Sequence, residues 1–178
     1  MTRQSVEDAF PPQAEGQGRC AYRRPGSSWV ALFWLIPVGL ALAFFVGRQN
    51  ALASQPTKVC DLHFSNEVTI EGVPVAETRE QQARGLSGVE NVGQGMLFVW
   101  PVAEPRVFWM RDTRVPLTIG FFDEAGLLFG IQDMKPETDD YHFSIKPAVQ
   151  ALELAQGQFQ GYGLKEGVRL IGQTCKRL

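Results

Sequence analysis

A mainly β fold, an all-β sandwich or barrel with one or two short helices behind an apolar N-terminal helix, is what this chain predicts. Three observations carry that expectation. Short runs rich in β-branched and aromatic residues recur between turn signals from residue 59 onward, one helix-start signal interrupts them, and an uncharged stretch of 18 residues precedes them. Many short strands at this spacing read as a sandwich or barrel rather than a parallel sheet with crossover helices.

The uncharged stretch, Trp29 to Val46, has nearly the length a helix needs to cross the roughly 30 Å core of a bilayer. Arg19, Arg23 and Arg24 precede it and only Arg48 and Lys58 follow closely, so the positive-inside rule leaves the N-terminus in the cytoplasm and the rest outside. Ala51-Leu52-Ala53 offers small residues to a signal peptidase, so two fates stand open: a retained anchor, or a signal helix cut after Ala53. Residues 1–28, rich in Gln, Pro, Gly and charge, read as a disordered cytoplasmic leader, and 47–57 as a linker.

The exported domain, residues 58–178, is a normal size for one core. Strands are expected at Val59 to Phe64, Val68 to Ile70, Val73 to Ala76, Gly95 to Val99, Arg106 to Met110, Leu117 to Phe122, Leu127 to Met134, Ala151 to Leu154 and Val168 to Gln173. Glu71-Gly72, Asp123-Glu124-Ala125-Gly126 and Glu166-Gly167 supply turn chemistry between them, the second closing a hairpin from Phe121 to Leu128. The helix signal is Thr78 with Gln81 three residues on, a capping box, with an expected stop at Gly85. A second helical turn is expected around Phe159 to Leu164.

Of three cysteines, Cys60 and Cys175 lie near the two ends of the exported part, and an even pair in an oxidising compartment predicts a disulfide. From Ser54 to Leu178 there are 12 Lys and Arg against 16 Asp and Glu, a net charge of −4 without a basic cluster, which argues against nucleic acid as a partner. Only His63 and His142 could serve as a catalytic base, and neither sits in a nucleophile elbow. Asp139, Asp140 and His142 lie close on a polar loop but name fewer ligands than a metal needs, so no metal and no cofactor is expected. Gly93-Gln94-Gly95 has no helix behind it to present N–H groups to a phosphate, and reads as a close backbone approach before Met96.

The motifs Gly95-Met96-Leu97-Phe98-Val99-Trp100 and Phe108-Trp109-Met110-Arg111-Asp112-Thr113-Arg114-Val115-Pro116-Leu117 are the most specific in the chain. With Thr78 to Leu86, Phe122 to Gly126 and Leu152 to Gly157, they resemble the bacterial and archaeal family known as domain of unknown function 192. That resemblance implies a jelly-roll-like sandwich and brings no established activity with it. Members often carry Met where Ser87 stands, Lys-Asn where Arg111-Asp112 stands, and Asp where Thr118 stands.

Around these motifs gather the polar residues expected to bind a ligand: Glu80, Gln81, Arg84, Trp109, Arg111, Asp112, Thr113 and Asp123. Strand alternation sends Phe108 and Met110 to one face and Trp109 and Arg111 to the other, where an aromatic ring beside a guanidinium suits sugars or carboxylates. The competing expectation has Trp109 fill the core while Arg111 and Asp112 bridge to the helix of Glu80 and Arg84. The functional reading is a noncatalytic envelope module, inner-membrane anchored or released to the periplasm, that binds a small ligand, a glycan or an envelope protein. The alternative is an enzyme on an envelope substrate using two of Glu80, Asp112, Asp123 and Glu153.

Overall fold

The computed structural model describes residues 53–178. The leader, the run Trp29 to Val46 and Cys20 lie outside the described residues, and no helix among the described residues is long and apolar enough to cross a membrane.

The chain forms β1 (Lys58–Phe64), β2 (Thr69–Ala76), α1 (Arg79–Arg84), β3 (Met96–Glu104), β4 (Val107–Phe108), β5 (Leu117–Phe122), β6 (Leu128–Met134), β7 (His142–Phe143), β8 (Ala148–Ala155), α2 (Gln158–Gly161) and β9 (Leu170–Arg177). Seven strands make one sheet in the order β6-β5-β8-β3-β2-β1-β9, and β4 pairs separately with β7. Among the described residues the fold is therefore mainly β with two short helices and no closed barrel. The outermost strands β6 and β9 approach only at one end, through a bridge between Leu127 and Arg169 flanked by Leu128 N–H to Val168 C=O and Leu170 N–H to Gly126 C=O, both 2.9 Å.

β2 runs parallel to β3. A parallel neighbour cannot be reached by a tight hairpin, so the chain leaves β2, builds α1 and returns. The helix begins and ends where the sequence predicts: the Gln81 N–H donates to Thr78 Oγ1 at 3.3 Å, the Thr78 N–H donates back to Gln81 Oε1 at 3.1 Å, and Gly85 ends it.

Several boundaries differ from expectation. The strands expected at Val68 to Ile70 and Val73 to Ala76 merge into β2, which starts at Thr69, because Glu71-Gly72 is an irregularity within it and not a turn. Gly72 adopts φ 68°, its N–H donates to Asp61 Oδ1 at 2.8 Å, and the β1–β2 register shifts between Cys60 and Leu62. The strand expected over Arg106 to Met110 shortens to β4, since the Met110 N–H turns to the Thr138 carbonyl at 3.2 Å.

Alternation in the central strands divides their side chains between two cores. Leu97, Phe122, Leu128, Leu152 and Leu154 pack with Leu62, Phe64, Ile70 and Val75 of β1 and β2 and with Phe159 of α2. Met96, Phe98, Leu117, Ile119, Phe121 and Ala151 pack with Leu86 after α1 and with Met110, and Trp100 and Phe108 lie against this second cluster. Covered on both sides, β5 buries all six residues.

Cys60 and Cys175 face each other across the β1–β9 ladder and are joined by a disulfide, as the sequence predicts. It closes a loop of sequence separation 115 and ties the edge strand β9 to its neighbour. Replacing both cysteines by Ser should cost about 2 to 4 kcal/mol in denaturant unfolding.

Gly95 makes the close approach expected of the Gly93-Gln94-Gly95 segment. Its φ is 75°, and a Cβ there would lie 2.0 Å from the Glu153 carbonyl oxygen. Gly95→Ala should therefore destabilise the domain by on the order of 3 kcal/mol, read as a lower denaturation midpoint at unchanged m-value.

Candidate functional site

β8 is hydrogen-bonded on both edges, and its residue Glu153 stands in register with Met96 of β3 and with Ile119 of β5. Leu152 and Leu154 point into the first core, so strand alternation turns Glu153 toward the second. Its residue exposure is 5%, and its carboxyl has no hydrogen-bond or ion-pair partner among the described residues. Burial without a counter-charge disfavours the carboxylate and pushes this acid up to about 8.

Glu153 lies at a cleft of about 300 Å³ between the turn after α1 and the β3–β4 segment. Phe98, Trp100 and Phe108 supply aromatic walls. Phe98 and Trp100, two apart on β3, stack with centroids 6.2 Å apart, and Phe108 meets them edge-on at 5.0 and 6.1 Å. The Arg106 guanidinium lies 4.4 Å from the Trp100 ring centroid. Its Nε donates to the Ala148 carbonyl at 3.1 Å, its Nη1 to Glu104 at 3.3 Å and its Nη2 to the Val102 carbonyl. Burial lowers the affinity of Arg106 for its proton, and Glu104 opposes that effect.

The residues singled out in the sequence divide. Arg84, Trp109 and Thr113 line the cleft. Gln81 is buried in the cap of α1 and donates to the Gln55 carbonyl at 2.9 Å, while Glu80 is exposed on the same helix. Arg111 points to solvent, where its Nε donates to Asp139 at 2.8 Å and that bond raises the guanidinium's proton affinity. Asp112 sits at a turn with φ 57°, its carbonyl accepting the Gly88 N–H at 2.8 Å. Asp123 lies elsewhere, in the β5–β6 turn, accepting from the N–H groups of Ala125 and Leu127 at 2.9 Å each.

Trp109 is 48% exposed, so it does not fill the core. Phe108 and Met110 face inward and Trp109 and Arg111 outward, as alternation predicts. From the lip of the cleft Trp109 meets Tyr141 edge-on at 6.4 Å, and Tyr141 meets Phe143 at 6.1 Å, a strip of exposed rings. Arg106 and Trp100 were passed over in the sequence, although Phe98 and Trp100 share a face by spacing.

The histidines build no catalytic pair with an acid. His63 contacts Thr69 Oγ1 at 3.0 Å and Thr174 Oγ1 at 3.3 Å, and His142 Nε2 is buried without a partner. Among the described residues no three His, Cys, Asp or Glu side chains are grouped to hold a metal ion.

A family profile described as DUF192, uncharacterized ACR, matches residues 62–172. The chain belongs to this family. No curated protein matches it. Its fold is similar to the crystal structure of a candidate transcription regulator from Sinorhizobium meliloti 1021, at 24% identity and TM-score 0.59, covering 70% of this chain and 95% of that one. A protein of unknown function from Novosphingobium aromaticivorans is similar at 23% identity and TM-score 0.57, covering 66% and 83%. At these identities the likeness shows a shared fold alone. In this DUF192 chain the two most specific motifs, Gly95 to Trp100 and Phe108 to Leu117, contribute Phe98, Trp100, Phe108, Trp109 and Thr113 to the cleft.

Glu153 makes stability depend on pH in a defined direction. An unfolded Glu loses its proton near 4.5 and the folded one near 8, so between those values the folded state holds the extra proton. Stability from this group is full below about pH 4.5 and falls as pH rises through 8, by on the order of 5 kcal/mol in all. Denaturant unfolding at pH 5, 7 and 9 should show that decline in the wild type and a flatter profile in Glu153→Gln.

Proposed function

We propose that the domain is a noncatalytic binding module of the cell envelope, outside the cytoplasmic membrane, whose ligand enters the cleft beneath Trp109. One observation carries this reading: an aromatic cleft of about 300 Å³ holds a single buried acid and, among the described residues, no second acid lining it. Concave sites with apolar walls and a few fixed polar groups are the usual form of a small-ligand site. The Cys60–Cys175 bridge supports an oxidising compartment, and the apolar run Trp29 to Val46 supports an inner-membrane anchor or a cleaved signal. The jelly-roll-like description fits the way β1 and β2 pack over the central strands, and the net charge of −4 favours partners other than nucleic acid.

The enzymatic reading has one observation in its favour, since an acid that keeps its proton near neutrality suits general-acid chemistry. It asks for a second carboxylate across the cleft. Of Glu80, Asp112, Asp123 and Glu153, only Glu153 lines it.

A thermal-shift screen of the oxidised full chain against sugars, peptidoglycan fragments, carboxylates, nucleotides and divalent metals tests the proposal. A true ligand at 100 times its Kd should add about 2.7 kcal/mol. Trp109→Ala removes an exposed side chain, so it should change stability by less than about 1 kcal/mol while abolishing that shift. Binding that survives this substitution would place the site elsewhere, and product formation would overturn the noncatalytic reading.

A further inference from the structure

The cleft's electrostatics narrow its ligand. Arg84 of α1 and Arg106 of the β3–β4 turn are the charged groups that share it with Glu153, while β3 and β5 set Met96 and Ile119 beside the acid. Two guanidinium groups repel a cation. Each already spends part of its five donors on the protein. Arg106 is tied to Ala148, Val102 and Glu104. Arg84 Nη1 donates to Ser54 at 3.3 Å, and with the Gln55 amide turned to face it, that oxygen accepts from both guanidinium nitrogens at 2.9 and 3.2 Å. An uncharged ligand is the one that enters such an aromatic cleft without giving up a charged hydration shell.

Resting on the binding reading above, we infer that Glu153 is the specificity-determining group of the cleft. As an uncharged acid it donates a hydrogen bond to the acyl oxygen of a neutral, ring-bearing ligand, of which acetamido sugars are the class that fits. Three observations support this. The Glu153 residue is 5% exposed, lines the cleft and has no hydrogen-bond partner among the described residues, so a ligand oxygen meets an acid that no protein group engages. Gln82 commits its Nε2 to the Val99 carbonyl at 2.9 Å, which leaves its Oε1 to accept an amide N–H. The aromatic walls suit the apolar face of a sugar ring, and the strip from Trp109 through Tyr141 to Phe143 extends that platform for a longer glycan.

Titration calorimetry of the oxidised full chain with N-acetylglucosamine, and with glucose as the same ring without the acyl group, tests the inference at pH 6.5 and pH 9. N-acetylglucosamine should bind at pH 6.5 and glucose at least tenfold more weakly. With the acid titrating near 8, affinity for N-acetylglucosamine should fall about tenfold at pH 9. Glu153→Gln, whose amide also donates, should bind it equally at both values, and a near-UV spectrum at pH 9 establishes that the wild type is still folded there. Absence of binding at pH 6.5, equal affinity of the wild type at both values, or a preference for glucose would overturn the inference. A Trp109-dependent thermal shift with a different compound, alongside no response to N-acetylglucosamine, would remove this ligand class while leaving the binding module standing.

Discussion

Everything distinctive about this domain follows from the position of β8, held between β3 on one edge and β5 on the other. A strand so placed and covered on both faces admits apolar side chains in both directions, and Ala151, Leu152 and Leu154 obey that demand. Glu153 does not. Its backbone is locked by two ladders and by the close approach of Gly95, so the side chain stays on the cleft side of the sheet. The acid keeps its proton instead, the ordinary response of an ionisable group that burial deprives of solvent and partners. The aromatic walls reinforce this, because the rings of Phe98, Trp100 and Phe108 present mostly apolar surface beside the acid.

That arrangement costs stability, and the remainder of the fold has the means to offset it. Two apolar cores share the central strands, and β5 buries residues on both of its faces. The disulfide restrains the edge strand β9, and on the chain-entropy argument a loop of its size is worth several kcal/mol.

What could be read from the sequence was what depends on neighbours in the chain. The capping box of α1, the β5–β6 hairpin around Asp123 and the alternation of Phe108 to Arg111 are local, and each stands as read. The cysteine pair is distant in sequence, but oxidation chemistry and parity stood in for proximity. Sheet order left no such trace. The Glu71-Gly72 pair carries turn chemistry, yet in the sheet it forms a bulge, because β2 has ladder partners on both sides of it. The two-residue strands β4 and β7 exist only as partners of one another and have no periodicity of their own.

The site shows the same division. Arg111 drew attention because it adjoins Trp109, but alternation sends its side chain to solvent and Asp139. Arg106, three residues before Trp109, instead folds back over Trp100, and its donors end on the carbonyls of Val102 in β3 and Ala148 at the start of β8 and on the Glu104 carboxylate. No spacing rule brings Arg106 to Trp100, since the contact depends on where the chain reverses after Glu104. A sequence signal for Glu153 did exist: a lone acid between Leu152 and Leu154 in an otherwise apolar run conflicts with a buried strand. Such a conflict between local residue and global position is what a binding site looks like before its ligand is known. As half of a carboxylate pair Glu153 would need a second acid, and none lines its cleft among the described residues, where aromatic rings and two guanidinium groups surround it instead.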